Sequence, residues 1–311
     1  MNKIGIVFPG QASQYVGMGK GLHESEPEVR RLYEIASDEL GEDIASLSFE
    51  GPAEKLKETR FTQPAILLHS LAILTIMKEN LPEASLTAGH SLGEYAALAL
   101  AGVISIEESV QAVVRRANLM EEACRKVPGT MAAVMGLEEE KITEICEDAS
   151  VKGVVVPANF NSSNQIVISG SIGGVEEACR LCKEAGAKRA ILLQVGGAFH
   201  SPLMESAKAG MRDYLNKINF TEPRVGIVPN VTGIAERSST QIKRLLVEQL
   251  TAPVRWHHTM QYFKDNNIDT LIEVGPGKVL TGLAKRELDG AELLNIDTLQ
   301  DIQYFIGTAA N

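Results

Sequence analysis

The chain has 311 residues, 44% apolar and 23% charged, a composition that can bury a substantial core without disulfide or metal staples. Its formal net charge of −10 argues against binding nucleic acid or an anionic membrane through a global field, so an acidic partner needs a local basic patch. The four cysteines, Cys124, Cys146, Cys179 and Cys182, are too few and too irregular for a disulfide framework, which points to a reducing cytoplasm.

The first predicted element is a strand in "KIGIVFPG". Its apolar run of about five residues before Pro9 is shorter than the roughly 7–15 of a signal-peptide core, so no export is expected. "PAILLHSLAILTIM" at 64–77 falls short of the ~20 residues that span a bilayer and contains His69 and Ser70, so it reads as a buried helix and no membrane contact is expected. "SLTAGHS" reads as a strand leading into the helix "LGEYAALALAG", and "VVRRANLMEEA" lies on a further helix.

After Pro128 and Gly129 the rhythm changes. "TMAAVMGL" reads as strand, "EEEKITEICEDA" as helix, "GVVVPANFN" and "NQIVISG" as strands joined by a turn at 161–164, "VEEACRLCKEAG" as helix and "KRAILLQV" as strand. That β-α-β-β-α-β order is the ferredoxin-like signature. Cys179 and Cys182 form a C-x-x-C on the second of these helices, where they read as core, and no second pair exists to complete a zinc site. The main fold resumes at "GGAFHSPLM", and "TLIEVGPG" reads as a late strand before the helix "VLTGLAKREL". The expected fold is therefore α/β: a hydrolase-like core with a mostly parallel sheet from residues 1–125 and 197–311, and an inserted ferredoxin-like subdomain at 126–196.

The chemistry centres on Gly89-His90-Ser91-Leu92-Gly93, a Gly-x-Ser-x-Gly pattern between a predicted strand and a predicted helix. Flanking glycines permit the sharp turn that exposes a serine nucleophile, and the helix start offers a backbone N–H beside the hydroxyl. Serine is a poor nucleophile at its free pKa and needs a base, for which the chain offers six histidines. His90, adjacent to Ser91, should point away; His257 and His258 diverge from each other; His23 and His69 lie in predicted helices. His200 differs, because "GGAFHSPLM" places it where a loop at the sheet edge begins, but these residues alone leave the base open. Arg115 and Arg116, read alone, are a solvated helix face. "GMGKG" at 17–21 and "GPGK" at 275–278 lack dinucleotide and P-loop spacings and read as turn glycines.

Taken together, "VFPGQASQYVGMG", "TQPA" at 62–65, "GHSLGEYAAL" at 89–98, Arg116, "GAFHSPLM" at 197–204, "QLTAPVRW" at 249–256 and "EVGPGKVLTGL" at 273–283 resemble the malonyl-CoA:acyl carrier protein transacylase family over nearly the whole chain. The resemblance implies that Ser91 is acylated, that His200 is its base, and that the main-chain carbonyl of Gln249, in place of an Asp, orients the imidazole. It further implies an oxyanion hole from the N–H groups of Gln11 and Leu92, and a malonyl carboxylate bound by Arg116 with Arg115 facing elsewhere. Gln63 and Asn159 are expected to line the pocket.

The resulting expectation is transfer of a malonyl group from malonyl-CoA to the phosphopantetheine thiol of an acyl carrier protein in fatty-acid biosynthesis, through a malonyl-serine and with no metal or redox cofactor. One rival is a free-standing acyltransferase that loads polyketide synthase carrier proteins; another is a serine hydrolase acting on acyl thioesters. A non-catalytic scaffold leaves the joint placement of Gln11, Ser91, Arg116 and His200 unexplained. For the acidic carrier, Lys188 with Arg189 and Lys285 with Arg286 are the visible basic pairs.

Overall fold

The structure, a computed structural model, describes residues 3–309. Nine strands follow in chain order: β1 (Ile4–Phe8), β2 (Leu86–Gly89), β3 (Thr130–Met135), β4 (Val155–Ser162), β5 (Gln165–Gly170), β6 (Arg189–Leu192), β7 (Gly226–Ile227), β8 (Thr270–Val274) and β9 (Glu292–Ile296). They form two sheets. The larger, in the order β7-β2-β1-β8-β9, is parallel throughout; the smaller, in the order β4-β5-β3-β6, is antiparallel.

In the larger sheet β2 and β8 are buried along their whole length and so do not alternate apolar with polar residues, and the buried Thr87 and Glu273 within them are hydrogen-bonded. The helix Thr59–Met77 packs into the same core. It is long and apolar enough to cross a membrane by composition, yet 83% of that stretch is buried in protein. The helix Ile106–Lys126 starts at a capping box of Ser105 and Glu108, and its stripe of Ser109, Val113, Met120 and Ala123 faces inward. Arg116 lies on that stripe while Arg115 is exposed, because neighbouring helical residues point about 100° apart.

The smaller sheet has two distinct faces. Ala132, Val134, Ile166 and Ile168 pack with Ile142, Ile145, Val175 and Cys179 of the helices Glu139–Ala149 and Ile172–Glu184. Their neighbours Met131, Ala133, Gln165 and Val167 point the other way, joined by Asn159 and Asn161 after a register shift in β4 between Pro157 and Asn159.

Several boundaries differ from the sequence reading, among them the helix expected over "VLTGLAKREL", which ends at Ala284, and two that shape the cavity. The turn expected at 161–164 shrinks to residues 163 and 164, because Ser162 still pairs with Gln165 and the Asn161 amide donates to Gln165 Oε1 at 3.2 Å. The strand expected across "KRAILLQV" stops at Leu192, leaving Leu193 and Val195 free to line a cavity. The segments β7 and β9, which no sequence signal marked, complete the edges of the larger sheet.

Candidate active site

The strands of a parallel sheet all end on one side, and ligands bind outside those carboxyl ends. Here β1 ends before Gln11 and β2 before Ser91. Ser91 sits on the turn with φ +53°, a left-handed conformation unusual for a residue with a Cβ. The flanking glycines are required by contact: a Cβ on Gly89 would lie 2.0 Å from the Gly93 carbonyl, and one on Gly93 would lie 2.4 Å from the Phe8 oxygen.

Ser91 Oγ lies 2.8 Å from His200 Nε2, and His200 Nδ1 lies 2.8 Å from the Gln249 main-chain oxygen. A carbonyl only accepts, so Nδ1 carries the proton and Nε2 is left to accept from the serine hydroxyl. Burial pushes the His200 pKa down to about 3, and the nearby Arg116 charge pushes in the same direction. The imidazole is therefore neutral at pH 7 and ready to take a proton. His90 turns away as expected, with Nε2 3.0 Å from Asn161 Oδ1 and its ring against Trp256.

Arg116 is fully buried, and its hydrogen-bond partners are all neutral. Its Nη1 donates to Gln63 Oε1, and its Nη2 donates to Gln249 Oε1 and to Ser91 Oγ, each at 2.9 Å. A guanidinium has five N–H donors, so two remain, one of them on Nε, which has no partner. A buried cation with spare donors beside a serine hydroxyl can receive an anionic group.

These residues open onto a cavity of about 460 Å³ between the two sheets. Gln11, Gln63, Ser91, Leu92, Arg116, Asn159 and His200 all line it, with Met131, Val167, Leu193 and Phe199 supplying apolar wall. Among the described residues, the N–H groups of Gln11 and Leu92 donate to no backbone carbonyl, so both are available to a ligand. No group of three or more His, Cys, Asp or Glu side chains among the described residues is placed to hold a metal.

The model of the acyl transferase domain matches residues 6–299. The chain is 43% identical over 290 residues to the malonyl CoA-acyl carrier protein transacylase of Escherichia coli K12, covering 93% of this chain and 94% of that one. It is 42% identical over 287 residues to the enzyme of the same name from Bacillus subtilis, covering 92% and 90%. The chain belongs to the malonyl-CoA:acyl carrier protein transacylase family. Among solved structures, an acyl carrier protein S-malonyltransferase from Vibrio cholerae superposes with a TM-score of 0.91 at 42% identity, over 97% of this chain and 99% of that one. A malonyl-transacylase solved in complex with its type II polyketide synthase acyl carrier protein superposes with a TM-score of 0.91 at 39% identity, over 98% and 99%.

In this member of the transacylase family, buried polar groups behind Ser91 and His200 hold the site, and of these the sequence reading names only Gln249. Asn230 Oδ1 accepts from the Ser91 N–H at 2.7 Å while its Nδ2 donates to the Gly89 oxygen at 2.7 Å, so one side chain pins both sides of the turn. Glu94, fully buried, accepts from the Asn230 N–H at 3.0 Å and from Gln249 Nε2 at 2.9 Å. Burial pushes the Glu94 pKa up to about 7, against the pull of those bonds and of Arg116. The Gln249 amide also donates to the Ser91 carbonyl at 3.0 Å, so this residue serves the site with its side chain as well as its main chain. Glu94 opens the helix that follows the Ser91 turn and Asn230 follows two-residue β7, and no local pattern marks either as buried.

Proposed function

We propose that the protein is a malonyl-CoA:acyl carrier protein acyltransferase working by a malonyl-serine intermediate. His200 Nε2 removes the Ser91 proton as Oγ attacks the thioester carbonyl, and the resulting oxyanion is held by the N–H groups of Gln11 and Leu92. The C–S bond then breaks, and His200 returns the proton to the departing coenzyme A thiol. The phosphopantetheine thiol of the carrier loses its proton to His200, attacks the malonyl ester, and Ser91 leaves with that proton. Once Oγ is esterified, the Arg116 donor it accepted is released to join the two spare ones in holding the malonyl carboxylate. Gln63 and Gln249 fix the guanidinium plane, and Asn159 forms part of the cavity wall. No step calls for a metal or redox cofactor.

The observation that carries this reading is the buried Arg116 with unused donors 2.9 Å from Ser91 Oγ. Intact-protein mass spectrometry tests it. Malonyl-CoA should produce a malonyl adduct that persists in water and is discharged by a holo acyl carrier protein. An adduct that decays as fast without carrier would identify a thioester hydrolase instead. The similarity to a transacylase complexed with a type II polyketide carrier favours one second reading, loading of polyketide carriers, and the same experiment with both carrier types separates it from fatty-acid synthesis. We further take residues 126–196 as the inserted subdomain, on the support of the separate antiparallel sheet, and the cytoplasm as the working compartment.

Removal of the imidazole in His200→Ala should slow both acylation and discharge by roughly 10²–10⁴-fold. The profile of kcat/KM against pH should show no limb near 6.5 that belongs to His200, which stays neutral down to about 3, whereas Glu94, at about 7, can contribute one of its own that Glu94→Gln removes. A limb at 6.5 that disappears in the alanine variant would contradict the burial argument. The same shift acts on stability: unfolded histidine gains a proton near 6.5 whereas the folded one does not, so His200 makes stability fall as pH falls through that window.

The carrier is expected to dock on the exposed basic pairs beside the cavity. Lys188 precedes and Arg189 opens the edge strand β6, beyond whose end Leu193 and Val195 line the cavity, and Lys285 and Arg286 follow the helix Val279–Ala284, which also lines it. Reversing either pair to glutamate should raise KM for the carrier about tenfold at low salt while acylation by malonyl-CoA is unchanged. A KM indifferent to both salt and reversal would show that docking is not electrostatic.

A further inference from the structure

Of the two proposed oxyanion donors, one belongs to a turn that is tightly bonded and the other to a loop that is not. Leu92 lies between Ser91 and Gly93, whose amides donate to Asn230 Oδ1 and to the His90 oxygen. Gln11 lies in residues 9–16, where it forms a local turn with Ala12, and the first backbone N–H beyond β1 to donate to a carbonyl of another element is that of Gly17, to Ser48 at 2.8 Å. Ala12, next to Gln11, sits at φ +83°, a conformation disfavoured for a residue with a Cβ, so the loop tends to relax out of it unless held. The Ala12 N–H donates at 2.9 Å to Gln14 Oε1, a bond internal to the loop.

Among the described residues, one hydrogen bond ties this loop's side chains to the rest of the fold: Tyr15 Oη donates to Asp297 Oδ1 at 2.8 Å. Asp297 is itself firmly placed just beyond β9. His69 Nε2, on the core helix Thr59–Met77, lies 3.0 Å from Asp297 Oδ1 and 2.7 Å from the Asp297 carbonyl oxygen. The Gly277 N–H donates to Oδ2 at 3.0 Å, which links the same carboxylate to the turn before the cavity-lining helix Val279–Ala284. Burial works to raise the Asp297 pKa, but the bonds from His69, Gly277 and Tyr15 outweigh it and hold the group below the usual carboxylate range. The acceptor is therefore charged at neutral pH, which strengthens the Tyr15 bond.

We infer that Tyr15 and Asp297 are positioning residues for the Gln11 N–H, the pair acting as a clasp that holds the oxyanion donor at the carboxyl edge of the larger sheet. Neither side chain touches the reacting atoms; their effect passes through the loop backbone. Because an oxyanion donor acts on charge that develops only in the transition state, loosening it lowers the rate of acylation and leaves substrate affinity alone.

This inference rests on the acyl-serine reading above, and the test keeps the two apart. The rate of malonyl-serine formation at saturating malonyl-CoA, the malonyl-CoA concentration giving half that rate, and the affinity for phenylboronic acid are measured for the full chain and for Tyr15→Phe, Asp297→Ala and Asp297→Asn. Phenylboronic acid bonded to Ser91 Oγ is tetrahedral and places an oxygen where the oxyanion rests. Tyr15→Phe should lose about tenfold in acylation rate, less than the 10²–10³ expected for outright loss of a donor. Boronate affinity should fall by the same factor, with the half-saturating concentration within twofold and the thermal midpoint moved by no more than about 2 °C. Asp297→Ala should match or exceed that loss, and Asp297→Asn, which keeps an acceptor oxygen for Tyr15, should recover part of it. A Tyr15→Phe variant with wild-type acylation and boronate affinity overturns the clasp alone. A wild-type chain that neither acylates at Ser91 nor binds the boronate overturns the acyl-serine reading, and the clasp with it.

Discussion

Ser91→Ala is expected to abolish the malonyl adduct and to reduce malonyl transfer by a factor on the order of 10⁵–10⁶, the scale on which loss of a covalent nucleophile registers. The substitution removes one oxygen and little volume, and it leaves the turn's main restraints in place, because Asn230 grips the Ser91 N–H and the Gly89 carbonyl and not the hydroxyl. Unchanged thermal stability together with lost transfer would therefore locate the defect in the chemistry. His200 Nε2 loses its partner in the variant, and Arg116 loses one of its three acceptors. Mass spectrometry of the intact alanine variant after exposure to malonyl-CoA is decisive: a persisting stable adduct means that another side chain carries the acyl group.

Arg116→Ala is expected to invert the enzyme's preference between malonyl-CoA and acetyl-CoA. A carboxylate entering a closed cavity loses hydration, and the loss is tolerable only if a fixed cation of matching geometry replaces the water. The same guanidinium rejects an acetyl group, because a methyl leaves its two spare N–H donors desolvated and unpaired. Sites built around a polar substrate group discriminate against its absence by roughly 10⁴-fold. Alanine should therefore cost malonyl transfer heavily and spare or improve acetyl transfer. Arg116→Lys should fall between, since it keeps the charge and loses the planar fork that Gln63 and Gln249 hold. The measurement is kcat/KM for both thioesters across the three proteins. A constant ratio would remove Arg116 from the specificity argument.

The sequence carried the parts of this site that local geometry dictates. Gly89 and Gly93 are forced by contacts of 2.0 and 2.4 Å that any side chain would violate, so the nucleophile's turn is written in adjacent residues. Arg116 shows a signal that was present but unused: read alone it looked like solvated surface, yet it lies seven residues after Ser109, three after Val113 and four before Met120, all on the buried stripe. Without the family resemblance the base stayed undecided among six histidines, because the Gln249 carbonyl that selects His200 is brought to it by folding across 49 residues. The Asn230, Glu94 and Gln249 network is harder still to foresee. It joins segments up to 155 residues apart through side chains whose types are common on any surface, and nothing periodic marks them as buried.

The smaller sheet separates two kinds of selective pressure by a single residue of spacing. Ala132 and Val134, or Ile166 and Ile168, answer to the helices beneath them; Met131 and Ala133, or Gln165 and Val167, answer to whatever enters the cavity. Met131 and Val167 also belong to the core of the larger sheet, so a change there to admit a bulkier acyl unit has to be absorbed by that core, while the first set goes on specifying the packing under the smaller sheet. Parity along a strand thus decides which of two cores a substitution disturbs.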